Sequence, residues 1–264
     1  MIAPSSSVAF SIGGFDVAYY SITMFLAIIS ATFFSVGLAK KYYPEIDKER
    51  IYDLLPWIVL FGIIGARIYY VIADWQYYSE HLNEILAIRQ GGLSIHGALL
   101  GGILGGYVYV KKHSLNFLKY LDVFSYGIIL GQIIGRFGNY FNIEAFGKPC
   151  YFSKIICMYV PEVKRPFQYL DVNYFHPTFL YEMIWNLIVL LILFFVIRRI
   201  AKKADGVLFF SYLGLYSIGR FLIEGIRVDS VKNIGEVPLA AFVSFLLLCL
   251  SIIVCFFLQK IKNK

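Results

Sequence analysis

The chain has 264 residues, 59% hydrophobic and only 16% charged, with a net charge of +7 and a mean hydropathy of +0.69. Soluble domains average roughly 45–50% apolar and about 25% charged residues, so a soluble fold of this size has nowhere to hide so much apolar surface. The same composition excludes disorder, and four cysteines are too sparse for a disulfide scaffold.

The reading is an all-α polytopic membrane protein, one integral membrane domain over residues 1–264. Seven apolar runs approach the roughly 20 residues that a spanning helix needs. They lie near Val17–Leu38, Tyr52–Ala73, Leu93–Val110, Leu121–Phe141, Pro177–Ile197, Gly206–Ile226 and Val237–Leu258. The first is not a secretory signal peptide, because nothing basic precedes it and no small-residue cleavage site closes a short apolar core. Two connections are long, Trp75–Gly92 and Ile143–His176, and residues 143–176 are expected to form a small external cap. The glycine-rich GGILGG stretch lies inside the third run, not after a soluble strand, so it is no dinucleotide fingerprint.

Fourteen of the 24 Lys and Arg residues fall near positions 40–50, 111–119, 198–203 and 260–264. Seven fall in the alternate set of loops, and Arg67, Arg136 and Arg220 lie within runs. Basic loops stay cytoplasmic, so the N-terminus is expected outside and the C-terminus inside. The net positive charge then sits on cytoplasmic rims beside anionic lipid and calls for no nucleic acid.

Gly97, Gly101 and Gly105, and again Gly127, Gly131 and Gly135, recur at four-residue spacing and read as generic helix packing. Gly91 and Gly92, at the entrance to the third run, suggest irregular backbone, tolerated at membrane depth only inside protein or along a cavity. Cys150 and Cys157 are seven apart in the outer loop, where an oxidising compartment would permit a disulfide. Cys249 and Cys255 read as small hydrophobes. Asp53 and Asp122, at the cytoplasmic ends, are expected to face water, and His81, His113 and His176 have no metal-ligand spacing.

Charged groups within spans are costly and default to function. Tyr20, Arg67, His96, Arg136, Glu182 and Arg220 all lie three to six residues from the outer end of their runs, with Glu144 just beyond the fourth. At a rise of 1.5 Å per residue, that places them within roughly 5–10 Å of the outer interface. Tyr216, Arg220, Glu224 and Arg227 form one helix stripe; Arg136 and Asn139 share another face, continued by Asn142; Glu182 and Asn186 share a third. Three arginines at one depth suit an anion, and a guanidinium fork grips phosphate at two points. His96, the one histidine within a run, supplies a neutral imidazole as candidate base. An enzyme acting on a phospholipid headgroup fits this set. Taken singly, each Arg–Glu pair reads equally well as a structural tie between helices, and His96 as an interior histidine.

Four segments, in order, carry a family resemblance: GGLSIHGALLGG (Gly91–Gly102), GRFGNYFNIEAFG (Gly135–Gly147), HPTFLYE (His176–Glu182) and YSIGRFLIEGIRVDS (Tyr216–Ser230). Together they resemble the bacterial prolipoprotein diacylglyceryl transferases, and the thirteen-residue second segment is the specific one. The resemblance implies transfer of the diacylglyceryl group of phosphatidylglycerol to the lipobox cysteine of a prolipoprotein signal peptide, forming a thioether and releasing glycerol phosphate. It implies a bacterial inner-membrane enzyme with membrane lipid and these two substrates as partners, and no nucleotide, metal or redox cofactor. Carried over by motif, it implies essential roles for Tyr20, His96, Arg136, Asn139, Glu144, Gly147, Glu182, Tyr216 and Arg220. Our expectation places His96, Arg136, Arg220, Tyr20, Glu144 and Tyr216 in catalysis. It places Arg67, Asn139, Asn142, Gly147, Glu182 and Glu224, with the two arginines, around the lipid headgroup. Tyr19-Tyr20-Ser21 stands where the family usually has Trp-Tyr-Gly. A transporter or channel for an anionic solute is the rival; it would favour a midplane site and an inverted repeat, and no repeat is visible. A non-catalytic lipid-binding scaffold would leave His96 without a role.

Overall fold

A computed structural model describes residues 1, 4, 6–88, 91–201, 204–228, 233–234 and 237–262. Arg89, Lys202, Lys203, Lys232 and Lys264 of the charge count, and Asp229 and Ser230 of the fourth family-like segment, lie outside the described residues.

The fold is helical, as its apolar runs require. A short hairpin, β1 (Val8–Ile12) and β2 (Phe15–Ala18), leads into α1 (Tyr19–Tyr42). Then come α2 (Lys48–Ala73), the single turn α3 (Trp75–Tyr78), α4 (Ile95–Lys112) and α5 (Phe117–Asn142). The long loop after α5 contains the pair β3 (Met158–Tyr159) and β4 (Tyr174–Phe175). It is followed by α6 (Thr178–Ile192), a π-helical stretch (Leu193–Ile197), α7 (Arg198–Ala201) and α8 (Val207–Glu224). A last small pair, β5 (Asn233–Ile234) and β6 (Val237–Pro238), precedes α9 (Leu239–Lys262).

Every apolar run is a helix, with ends within four residues of the sequence reading. Six described helices are long and apolar enough to cross a membrane: α1, α2, α5, α6 continued through α7, α8 and α9. The third run, now α4, is the exception to the expected seven: its 18 residues include five glycines and end in Lys111-Lys112, which dilute its apolar character. Large apolar side chains such as Phe25, Phe33, Phe245 and Phe256 stand exposed on α1 and α9, a surface that suits lipid and not water.

The single membrane domain read from sequence packs as two compact units, one of residues 1–35 and 121–264, the other of residues 36–120. In the first unit α1 and α5 touch through glycine. A Cβ on Gly127 would run into the Ala31 carbonyl and the Ser35 hydroxyl, and one on Gly131 would lie 3.4 Å from the Ala27 carbonyl. The loop after α5 has its own core of Ile143, Phe146, Met158, Val160, Phe175 and Phe179. Cys150 and Cys157 are joined there in a disulfide, with Cα atoms 5.8 Å apart. In the second unit α2 lies along α4, and a Cβ on Gly65, Gly97, Gly101 or Gly105 would strike the facing backbone, which supports the packing reading of that stripe.

Asp122 corrects a sequence expectation. It does not face water but is buried, accepting main-chain hydrogen bonds from Gly206 (2.7 Å) and Phe209 (2.8 Å) at the start of α8. A carboxylate on the first free N–H groups of a helix satisfies donors that have no partner within the helix. Asp53 is exposed, as expected.

Candidate functional site

In the first unit, α5, α6 and α8 bring five charged side chains together near one end. Glu182, in the second turn of α6, is at the centre. One carboxylate oxygen pairs with Nη2 of Arg136 from α5; the other accepts from Nη1 of Arg220 at 3.0 Å and Nη1 of Arg227 at 3.3 Å. Glu224, one turn after Arg220 on α8, closes the group, 2.8 Å from Arg220 Nη2 and 3.9 Å from Arg227 Nε. Both carboxylates are buried, at 4% and 3% exposure. Buried charges persist only when paired, and here the pairing is unequal: three guanidiniums face two carboxylates. Among the described residues the group carries a surplus of one positive charge, which suits a monoanionic phosphodiester.

A chain of side-chain amides leads out of this group. Arg136 Nη1 donates to Asn139 Oδ1 at 3.3 Å, Asn139 Nδ2 to Glu144 Oε2 at 3.5 Å, and Asn142 Nδ2 to Glu144 Oε1 at 3.3 Å. Glu144 is exposed, where solvent screens its charge. The turn that carries it is strained: Ile143 and Ala145 have φ of 53° and 54°, the left-handed region, costing about 1–3 kcal/mol each. It is held by Glu144 N–H on the Asn139 carbonyl (2.9 Å) and by Thr178 Oγ1 and Phe179 N–H on the Ala145 carbonyl (2.6 and 2.8 Å). Gly147 continues the turn, its N–H on the His176 carbonyl at 2.7 Å. A Cβ there would lie 2.9 Å from the Ile226 carbonyl and the Thr178 methyl, so this glycine lets the turn lie against α6 and the end of α8.

Tyr20 lies on α5: a Cβ on Gly138 would come 2.7 Å from its ring, and Tyr19 stacks on Phe141 with centroids 4.4 Å apart. The Tyr216 ring lies 6.1 Å from that of Tyr212 on the same face of α8. Arg136, Asn139, Asn142, Glu144, Glu182, Arg220 and Glu224 thus form one connected set. Arg227 joins it, although it was not among the expected binding residues; its place at i+11 from Tyr216 was the available signal.

Arg67 and His96 belong to the second unit. Arg67, expected beside the headgroup, donates to four main-chain carbonyls. Nε donates to the Ile85 carbonyl (2.7 Å), Nη2 to Glu84 (2.6 Å), and Nη1 to Gly91 (3.1 Å) and Gly92 (2.9 Å). The buried guanidinium also lies over the rings of Tyr70 and Tyr78. All three nitrogens hold main chain at Glu84, Ile85, Gly91 and Gly92, and the adjoining cavity of 280 Å³ is lined also by Asp74 and Glu84. Tyr77 donates to Glu84 Oε2 at 2.8 Å, which pushes its phenol above the ordinary range. Gly91 and Gly92 have φ of 95° and 72°, which bears out the irregular entrance to α4, and a Cβ on Gly92 would collide with Arg67 Nη1. His96 follows in the first turn of α4, exposed, its ring 5.9 Å from that of Tyr69.

A family model described as prolipoprotein diacylglyceryl transferase matches residues 7–257. The chain is 40% identical over 257 residues to the phosphatidylglycerol–prolipoprotein diacylglyceryl transferase of Clostridium novyi (strain NT), covering 97% of each. It is 40% identical over 237 residues to the protein of that name from Acaryochloris marina (strain MBIC 11017), covering 90% of this chain and 85% of the relative. A third, from Clostridium botulinum (strain Langeland), is 39% identical over 261 residues, 97% of each.

Proposed function

The chain belongs to the prolipoprotein diacylglyceryl transferase family and is a transferase of lipoprotein maturation, and on that premise we propose how its residues serve the reaction. The substrates are phosphatidylglycerol and the lipobox cysteine of a prolipoprotein signal peptide, which reaches the enzyme laterally through membrane lipid. The thiolate sulfur attacks the glycerol carbon that carries the phosphate. A C–S bond forms, the C–O bond breaks, and glycerol phosphate leaves with the bonding electrons.

The observation that carries this reading is the unequal ion-pair group, three guanidiniums on two buried carboxylates. Arg136 and Arg220 hold the phosphodiester and stabilise the charge that grows on the leaving phosphate. Glu182 and Glu224 fix the two forks in direction, and Arg227 shares both carboxylates. Asn139, Asn142 and Glu144 extend polar contacts toward the glycerol hydroxyls, with Tyr20 and Tyr216 as flanking hydroxyls. Arg67 keeps the loop before α4 in shape. For His96 the proposal rests on chemistry: the reaction releases a thiol proton, and a neutral imidazole accepts one near pH 7.

The membrane protein is multi-pass. The proposed orientation is N-terminus outside and C-terminus cytoplasmic, in the bacterial inner membrane. The charge bias supports it, as does the disulfide in the 143–176 loop, since disulfides persist in oxidising compartments. Reporter fusions after Lys112 should then read cytoplasmic and one after Lys164 external. For the reaction, purified protein with labelled phosphatidylglycerol and a lipobox peptide should yield a labelled thioether and free glycerol phosphate. Absence of the thioether product would reject the substrate assignment.

A further inference from the structure

One helical turn beyond the ion-pair group lies a second polar layer. Gln132 precedes Arg136 by four residues on α5, Asn186 follows Glu182 by four on α6, and Ser217 precedes Arg220 by three on α8, so each shares the face of its charged neighbour. The helix directions place all three on one side of the group. Tyr126 of α5 donates to the Leu193 carbonyl beyond α6 at 3.5 Å, and Trp185 of α6 donates to the Leu215 carbonyl of α8 at 2.9 Å. Both bonds require α6 to run against α5 and α8. The layer therefore sits about 5.4 Å further from the end where the arginines gather.

Two of these side chains are fully buried; Gln132 is half-buried, and its side chain hydrogen-bonds Tyr212. Asn186 and Ser217 are each 1% exposed. Asn186 Nδ2, Ser217 Oγ and Gln132 Oε1 have no hydrogen-bond partner among the described residues. Buried polar groups are nearly always paired, and two unpaired donors on converging faces are a ready pair of contacts for a neutral polar ligand. They carry no charge, so phosphate belongs with the arginines and not here. Asn186 presents an N–H donor and Ser217 an O–H donor, whereas the Gln132 amide is engaged with Tyr212.

We propose that Asn186 and Ser217 form a subsite for the ester carbonyls of the bound lipid. The inference rests on the phosphatidylglycerol reading above. In a glycerophospholipid the ester carbonyls follow the phosphate by the length of the glycerol backbone, on the acyl-chain side, which matches one turn of displacement away from the arginine layer. An ester carbonyl only accepts hydrogen bonds, and this layer supplies donors. The subsite makes the enzyme a reader of the diacyl linkage as well as of the headgroup.

The test compares phosphatidylglycerol with its diether analogue of equal chain length, which keeps the headgroup and the reacting carbon but lacks both carbonyls. Wild type should favour the diester about 10-fold in kcat/KM, the scale of one or two net hydrogen bonds. In Ser217→Ala and Asn186→Leu that ratio should fall toward one, mainly through KM for the diester. A wild-type ratio of one, or a ratio unchanged in both variants, overturns the subsite while leaving the transferase reading intact. Thioether formation from neither lipid by wild type would remove the phosphatidylglycerol reading and the subsite with it. The ratio is internal to each variant, so a general loss of folded protein does not mimic the effect, and Ser217→Ala decides alone if Asn186→Leu does not fold.

Discussion

Arg136 and Arg67 occupy similar places in sequence, each five or six residues from the end of an apolar run, yet the structure uses them in opposite ways. Arg136 meets a buried carboxylate that it shares with two other guanidiniums, leaving a positive surplus. Arg67 meets four main-chain carbonyls and two tyrosine rings, and its fork is fully engaged in holding a loop. Position within an apolar run is shared by both; what differs is the partner set, a shared carboxylate for one and main-chain carbonyls for the other.

The comparison breaks most readily at Glu182. Glu182→Leu leaves three arginines around one remaining carboxylate, and removing one partner of a buried pair costs about 3–5 kcal/mol. A large loss of thermal stability in detergent is expected. An unchanged melting temperature would mean that the cluster is not held by its carboxylates.

His96 sharpens the contrast from the second unit, where the loop held by Arg67 leads into its helix. If the histidine is the base, His96→Gln should lower single-turnover rate about 10²–10⁴-fold with lipid binding largely kept. Normal turnover with weakened binding would assign it to headgroup recognition.

Arg67→Lys should have the smallest effect. Lysine keeps the charge but cannot serve four carbonyls with a planar fork. Losing two or three such bonds amounts to about 1–3 kcal/mol of local stability. Faster hydrogen exchange confined to the 84–92 loop is the expected readout. A pure loss of lipid affinity with the loop unchanged would restore Arg67 to the binding site.

Much of this was legible in the residues, and the failures have physical reasons. Helix positions followed from apolar length, and the stripe from Tyr216 to Arg227 followed from helical spacing. The partners of Arg67 were out of reach, because they are main-chain carbonyls 17–25 residues downstream, invisible to any pattern of side chains. Asp122 was misjudged for the same reason: its partners are N–H groups more than eighty residues away. The β1–β2 hairpin has a readable signal, since Gly13 and Gly14 between the strands supply the two positive φ angles of a tight turn. The unpaired donors of Asn186 and Ser217 were beyond reach, because pairing depends on how the helices meet.

The central claim is that the surplus positive charge of the Arg136–Glu182–Arg220 group grips the lipid phosphate by guanidinium forks. Its most direct test is the affinity of Arg136→Lys for phosphatidylglycerol in nanodiscs, measured beside wild type and Arg136→Ala. Lysine preserves the charge and loses the two-point fork, so the account predicts that it binds almost as poorly as alanine. Near-normal affinity for the lysine variant would contradict the account and reduce the group to a tie between helices.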